Sequence, residues 1–113
     1  MPKKRVDTGP WQWPGTRVLI EDADLDRGLA AAWALRRAGY AVALCRGPDP
    51  DEYCPLVGPD DCALVVGADV VVAGIGPEIE EAVRRRHPNT PVIAPGTPAT
   101  VVAAVEEALA VRS

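Results

Sequence analysis

The sequence has no apolar run near the ~20 residues that span a bilayer, and Met1 to Gly15 hold no apolar core of the kind a secretory signal carries. Membrane insertion and export are therefore not expected, and the chain reads as a soluble cytoplasmic protein. Histidine occurs once, at His87, and the three cysteines include no close pair, with seven residues between Cys54 and Cys62. A structural zinc site normally takes four ligands, with paired cysteines two to four residues apart, so this spacing does not favour one. No lysine follows Lys4. Internal repeats, low-complexity tracts and interdomain linkers are also missing.

What is present describes one domain. The chain has 113 residues, 48% of them hydrophobic, and 12 basic against 16 acidic side chains. Size scaling gives roughly 6,000 Å² of folded surface against about 17,000 Å² unfolded, enough burial to fold without a metal or a disulfide. Charge is uneven: Lys3, Lys4, Arg5 and Asp7 give residues 1–15 a net charge of +2, leaving −6 on residues 16–113. The acidic part should avoid nucleic acid, and so short a basic segment offers too few phosphate contacts for tight binding. Residues 1–15 read as a flexible leader and residues 16–113 as the domain. Trp11 and Trp13 point to opposite sides of an extended segment, so one of them can cover a groove on the domain or on a partner.

Past Gly15, short β-branched runs alternate with apolar helical stretches, the pattern of a parallel sheet with crossover helices. Arg17 to Ile20 predicts a first strand. A helix follows from Asp24 to about Ala38, with Asp22 or Asp24 as cap, Arg36 and Arg37 in its last turn and Gly39 as terminator. Its predicted buried stripe is Leu25, Leu29, Ala32 and Leu35 or Arg36, with Trp33 alongside as a core residue. Tyr40 to Cys45 predicts a second strand, Arg46 to Pro59 a loop, and Asp60 to Gly67 one or two helical turns. Val70, Val71 and Val72 do not alternate with polar residues, which marks a central strand over Asp69 to Ala73. Pro77 opens a helix closed by His87-Pro88, Pro91 to Ala94 predicts a fourth strand, and Thr97 caps a last helix to about Val111.

Several of these stretches, in this order and spacing, resemble the response-regulator receiver (CheY-like) family: Arg17-Val-Leu-Ile-Glu-Asp, Arg27-Gly-Leu-Ala-Ala-Ala, Arg36-Arg-Ala-Gly-Tyr, Ala68-Asp-Val-Val-Val and His87-Pro-Asn-Thr-Pro-Val-Ile. The resemblance covers about Arg17 to Ile93 and implies a flavodoxin-like three-layer α/β fold. The helix and strand that the family places before its last helix are missing, which leaves a four-stranded parallel sheet of order 2-1-3-4. It implies a signalling role. A receiver also needs an acid pair after its first strand to hold Mg²⁺, an acceptor aspartate ending the third strand, and a Thr or Ser and a Lys further on. Glu21 and Asp22 match the acid pair as a weak Mg²⁺ site, in a loop one or two residues shorter than usual. Gly74 stands where the acceptor belongs, Gly96 falls near the Thr or Ser position, and the Lys is missing. Catalysis, a bound cofactor and phosphorylation on aspartate are therefore not expected. The reading is a non-catalytic interaction or regulatory module, expected to form a homodimer through the fourth-strand edge or the last helix, with its protein partner unspecified.

Two alternatives rest on other residues. Cys45, Cys54 and Cys62 border the Pro- and Asp-rich loop and are candidates for a redox sensor or a metal site, with Asp49, Asp51 or Asp61 available to complete the latter. A Cys54–Cys62 disulfide would add roughly 2.6 kcal/mol on the chain-entropy account. Neighbouring acids should raise the thiol pKa values and slow oxidation. Gly74 and Gly76 precede a helix N-terminus, where backbone N–H groups favour an anion, although Glu78, Glu21 and Asp22 oppose one. That second alternative is a small-ligand binder at the carboxyl end of the sheet.

Overall fold

The computed structural model describes residue 11 and residues 15–47 and 62–112. Val18, Leu19 and Ile20 are fully buried, which is possible only for a strand covered on both faces, and β1 (Arg17–Asp22) accordingly lies inside the sheet. It is followed by α1 (Leu25–Arg37), β2 (Ala41–Cys45), a single turn α2 (Ala63–Val66), β3 (Val70–Gly74), α3 (Pro77–Arg86), β4 (Val92–Ile93) and α4 (Pro98–Arg112). All pairings are parallel and the strand order is β2-β1-β3-β4. This is the expected four-stranded, flavodoxin-like α/β arrangement.

Local chemistry sets the boundaries. The Asp24 carboxylate accepts the Arg27 N–H at 3.1 Å and starts α1, while Arg36 and Arg37 end it. Pro77 occupies the first turn of α3, where its missing N–H costs nothing, and Arg84 to Arg86 close that helix. Thr97 caps α4 by accepting the Thr100 N–H at 3.3 Å.

The sheet separates two apolar layers. Val18, Ile20, Val70 and Val72 pack with Ala31, Ala32 and Leu35 of α1 and with Val101 and Val105 of α4. On the other face Leu19 and Val71 pack with Val65, Ile79, Ala82, Val83 and Trp11. Each buried valine or leucine contributes about 1.5–3 kcal/mol. Trp11, from the segment expected to be a leader, is fully buried and donates its indole N–H to the Leu64 carbonyl at 3.0 Å. Gly67 makes room for it, since a Cβ there would come within 2.5 Å of the Trp11 ring. Residues 1–10 and 12–14 of the leader, Trp13 among them, and the loop over residues 48–61, including Cys54, Asp49, Asp51 and Asp61, lie outside the described residues.

Three local expectations are corrected. β1 runs on to Asp22, so the acid pair belongs to the ladder and not to a loop. The buried face of α1 is Gly28, Ala31, Ala32 and Leu35, whereas Leu25 and Leu29 are exposed. Trp33 is exposed as well, at 65%. The cause is close approach: a Cβ on Gly28 would lie 2.9 Å from the Leu44 methyl, so the small residues face the sheet and the bulky ones move to the flank.

Candidate functional site

Strand order reverses between β1 and β3, because the chain leaves β1 for β2 on one side and returns to β3 on the other. Open parallel sheets bind ligands at such a switch point, outside the carboxyl ends of the strands. Here those ends carry Glu21, Asp22 and Gly74, with Asp22 directly in register with Gly74.

Asp22 is buried and fully engaged. Arg27 donates from Nε to Oδ2 at 2.7 Å and from Nη2 to Oδ1 at 2.8 Å, a two-pronged pair, and the Asp24 N–H reaches Oδ1 at 2.9 Å. The spacing explains the reach: Asp22 ends the strand, Asp24 turns the chain, and Arg27 lies in the first turn of α1 facing back. The Arg27 hydrogen bonds hold the Asp22 carboxyl below its usual range against the opposing effect of burial, and they raise the Arg27 pKa in return. The carboxylate also stands over Gly74. A Cβ at that position would lie 3.1 Å from Asp22 Cγ, 3.2 Å from Oδ1 and 3.2 Å from the Glu21 carbonyl oxygen. An aspartate at position 74 would therefore need Asp22 or the Glu21 carbonyl to give way by a few tenths of an ångström.

Glu21 projects from the opposite face of β1, because successive strand residues alternate. Its register neighbours are Cys45 on β2 and Ala73 on β3. It is 2% exposed, and its Oε1 atom is buried with no hydrogen-bond partner. Burial without compensation pushes its pKa up from 4.5 to about 7. The two acids that match a Mg²⁺ pair thus diverge across the sheet. Among the described residues, no three or more His, Cys, Asp or Glu side chains are grouped to hold a metal ion.

The remaining candidates fall elsewhere. Cys45 ends β2, where its sulfur accepts the Gly47 N–H at 3.4 Å, and Cys62 precedes α2. Both are partly buried against the Trp11 layer. Gly76 is the N-cap of α3 and makes no side-chain cap, but Glu78 and Glu80 in the first turn already complement the helix dipole. Gly96 precedes the α4 cap, where a Cβ would lie 2.7 Å from the Thr100 hydroxyl. Arg27, the residue that decides the chemistry of Asp22, was not singled out by sequence reasoning. Its five-residue spacing from Asp22 across a cap was the available signal.

No protein-family profile, curated protein or solved structure matches the chain. No helix among the described residues is long and apolar enough to cross a membrane.

Proposed function

We propose that the chain is a shortened receiver-like domain that carries out no aspartyl phosphotransfer and serves in signalling as a protein-interaction or regulatory module, working as a homodimer in the cytoplasm. One observation supports this above the others. At the switch point the acceptor position is Gly74, and the space over it is filled by the Asp22 carboxylate, whose two oxygens are both held by Arg27. A receiver carries out phosphoryl transfer with a carboxylate nucleophile and a divalent cation that neutralises the phosphoryl oxygens. Here the nucleophile is missing, and the cation is a guanidinium belonging to the chain, so a divalent ion must compete with a covalently tethered rival. An internally neutralised end of this kind fits a domain that presents a fixed surface.

The test is intact-mass analysis after incubation with acetyl phosphate and Mg²⁺. The reading predicts no phosphoryl adduct. A stoichiometric adduct released by hydroxylamine, as an acyl phosphate would be, overturns it.

A further inference from the structure

Beyond the carboxyl end of β1 its two neighbouring strands close on each other. Adjacent strands run about 4.8 Å apart, so β2 and β3, one on each side of β1, are separated by roughly 10 Å at the level of Glu21. Two residues further on that gap has closed. Gly47 follows β2, Ile75 follows β3, and a Cβ on Gly47 would lie 3.3 Å from Ile75 Cγ2 and 3.4 Å from Cδ1. Ile75 packs in the Trp11 layer, on the face from which Glu21 also projects, so its side chain crosses the end of β1 over the Glu21 carboxyl. Gly47 permits that approach. Its φ of +98° lies in the left-handed region that glycine favours, its N–H is held by the Cys45 sulfur, and it has no side chain to keep Ile75 away. Ile75 is half-buried and stands between Gly74 and Gly76, so neither chain neighbour has a side chain to prop it in place.

The carboxyl beneath this cover has nothing to balance a charge. Its Oε1 is buried without a hydrogen bond, and burial is the cause of its raised pKa. The groups around it do not compensate. Its register partners are the Cys45 thiol on β2 and the Ala73 methyl on β3, and Cys62 stands ahead of α2. Glu78 and Glu80, in the first turn of α3, carry its own sign, Arg46 next to Cys45 is exposed, and the Asp22–Arg27 pair lies on the opposite face.

We infer that Ile75 is a proton-controlled lid, closed over Glu21 while the carboxyl holds its proton and swung off it, admitting water, once the proton leaves. The covered state excludes the charged form and the open state accepts it, so the proton selects between them. With the carboxyl titrating near 7 when covered and near 4.5 when wetted, the open-to-closed ratio rises about tenfold for each pH unit between those values and about 300-fold in all. The consequence falls at the switch point, where an apolar cover beside the Asp22–Arg27 pair gives way to a negative charge as pH rises to neutrality. The lid goes beyond the interaction-module reading and does not depend on it, since uptake of a phosphoryl group would defeat that reading and leave the lid standing.

Methyl NMR of the full chain between about pH 5.5 and pH 8 tests this. The NOE between the Ile75 methyls and the Gly47 α-protons should be strong at the acid end, fade with the same midpoint as the Glu21 carboxyl carbon, and be lost at the alkaline end while circular dichroism shows the protein still folded. Glu21→Gln, which has no proton to lose there, should keep the NOE throughout. Ile75→Ala removes the cover and should lower the Glu21 midpoint by about one pH unit or more toward 4.5, whereas Val105→Ala, in the core on the other face of the sheet, should leave it in place. An NOE that persists at the alkaline end overturns the lid, and so does one that fades equally in Glu21→Gln. A Glu21 midpoint indifferent to Ile75→Ala, or lowered as much by Val105→Ala, overturns it as well.

Discussion

Glu21 and Asp22 are successive acids at the end of one strand, almost equally buried, yet they sit under opposite electrostatic conditions. Asp22 faces α1 and receives three N–H donors, two of them from a guanidinium. Glu21 faces the α2 and α3 side and leaves one oxygen unpartnered. Burial alone therefore does not decide the state of a carboxyl group. The donors that the other face of the sheet happens to supply decide it, and here they keep one acid charged and leave the other half protonated near neutrality.

The largest effect should come from forcing an acceptor into the site. Gly74→Asp places a Cβ and a second carboxylate against Asp22, and chemical denaturation should show a loss of about 4 kcal/mol without any gain of phosphorylation. The next effect is a pH dependence of the unaltered protein. Glu21 binds its proton more tightly folded than unfolded, so its contribution is complete below about pH 4.5 and is lost as pH rises to about 7. That amounts to about 3 kcal/mol between urea titrations at pH 4.5 and pH 8, and Glu21→Gln should remove the slope. Asp22 runs the other way: its contribution is present above 3.8 and lost as pH falls through its lower folded value. Removing its partner should make the two acids alike. Arg27→Ala leaves the buried Asp22 with only the Asp24 N–H as donor, so urea denaturation at pH 7 should show a loss of stability, moderated because Arg27 is partly in solvent, and the Asp22 pKa should rise. The smallest change works from the other side. Ala73→Ser sets a hydroxyl beside Glu21 in register, and carboxyl NMR should show the Glu21 pKa falling by about half a unit.

The sheet order and the helix ends were legible in the sequence because their signals are local. The valine run of β3, Asp24 as cap, Pro77 as first residue and the terminal arginines each act within a turn or a strand. The identities of Glu21, Asp22 and Gly74 were legible for the same reason. Their arrangement was not, because Glu-Asp after an apolar run looks like the start of a loop, and only the pairing with Cys45, Ala73 and Gly74 shows that the strand continues. The rotation of α1 was hidden too. Hydrophobicity favours Leu25, Leu29 and Trp33 for the core, but Gly28, Ala31 and Ala32 win by letting the helix lie close to the sheet.

The most direct test is a carboxyl-carbon NMR titration of Glu21 Cδ and Asp22 Cγ in one sample, with and without millimolar Mg²⁺. The account predicts a Glu21 midpoint near 7, an Asp22 midpoint below the ordinary 3.8, and no displacement of either by Mg²⁺. A Glu21 midpoint at the ordinary value of 4.5 would mean that its burial is compensated, and a joint shift of both carbons on adding Mg²⁺ would mean that the two acids act as a metal-binding pair; either result would contradict it.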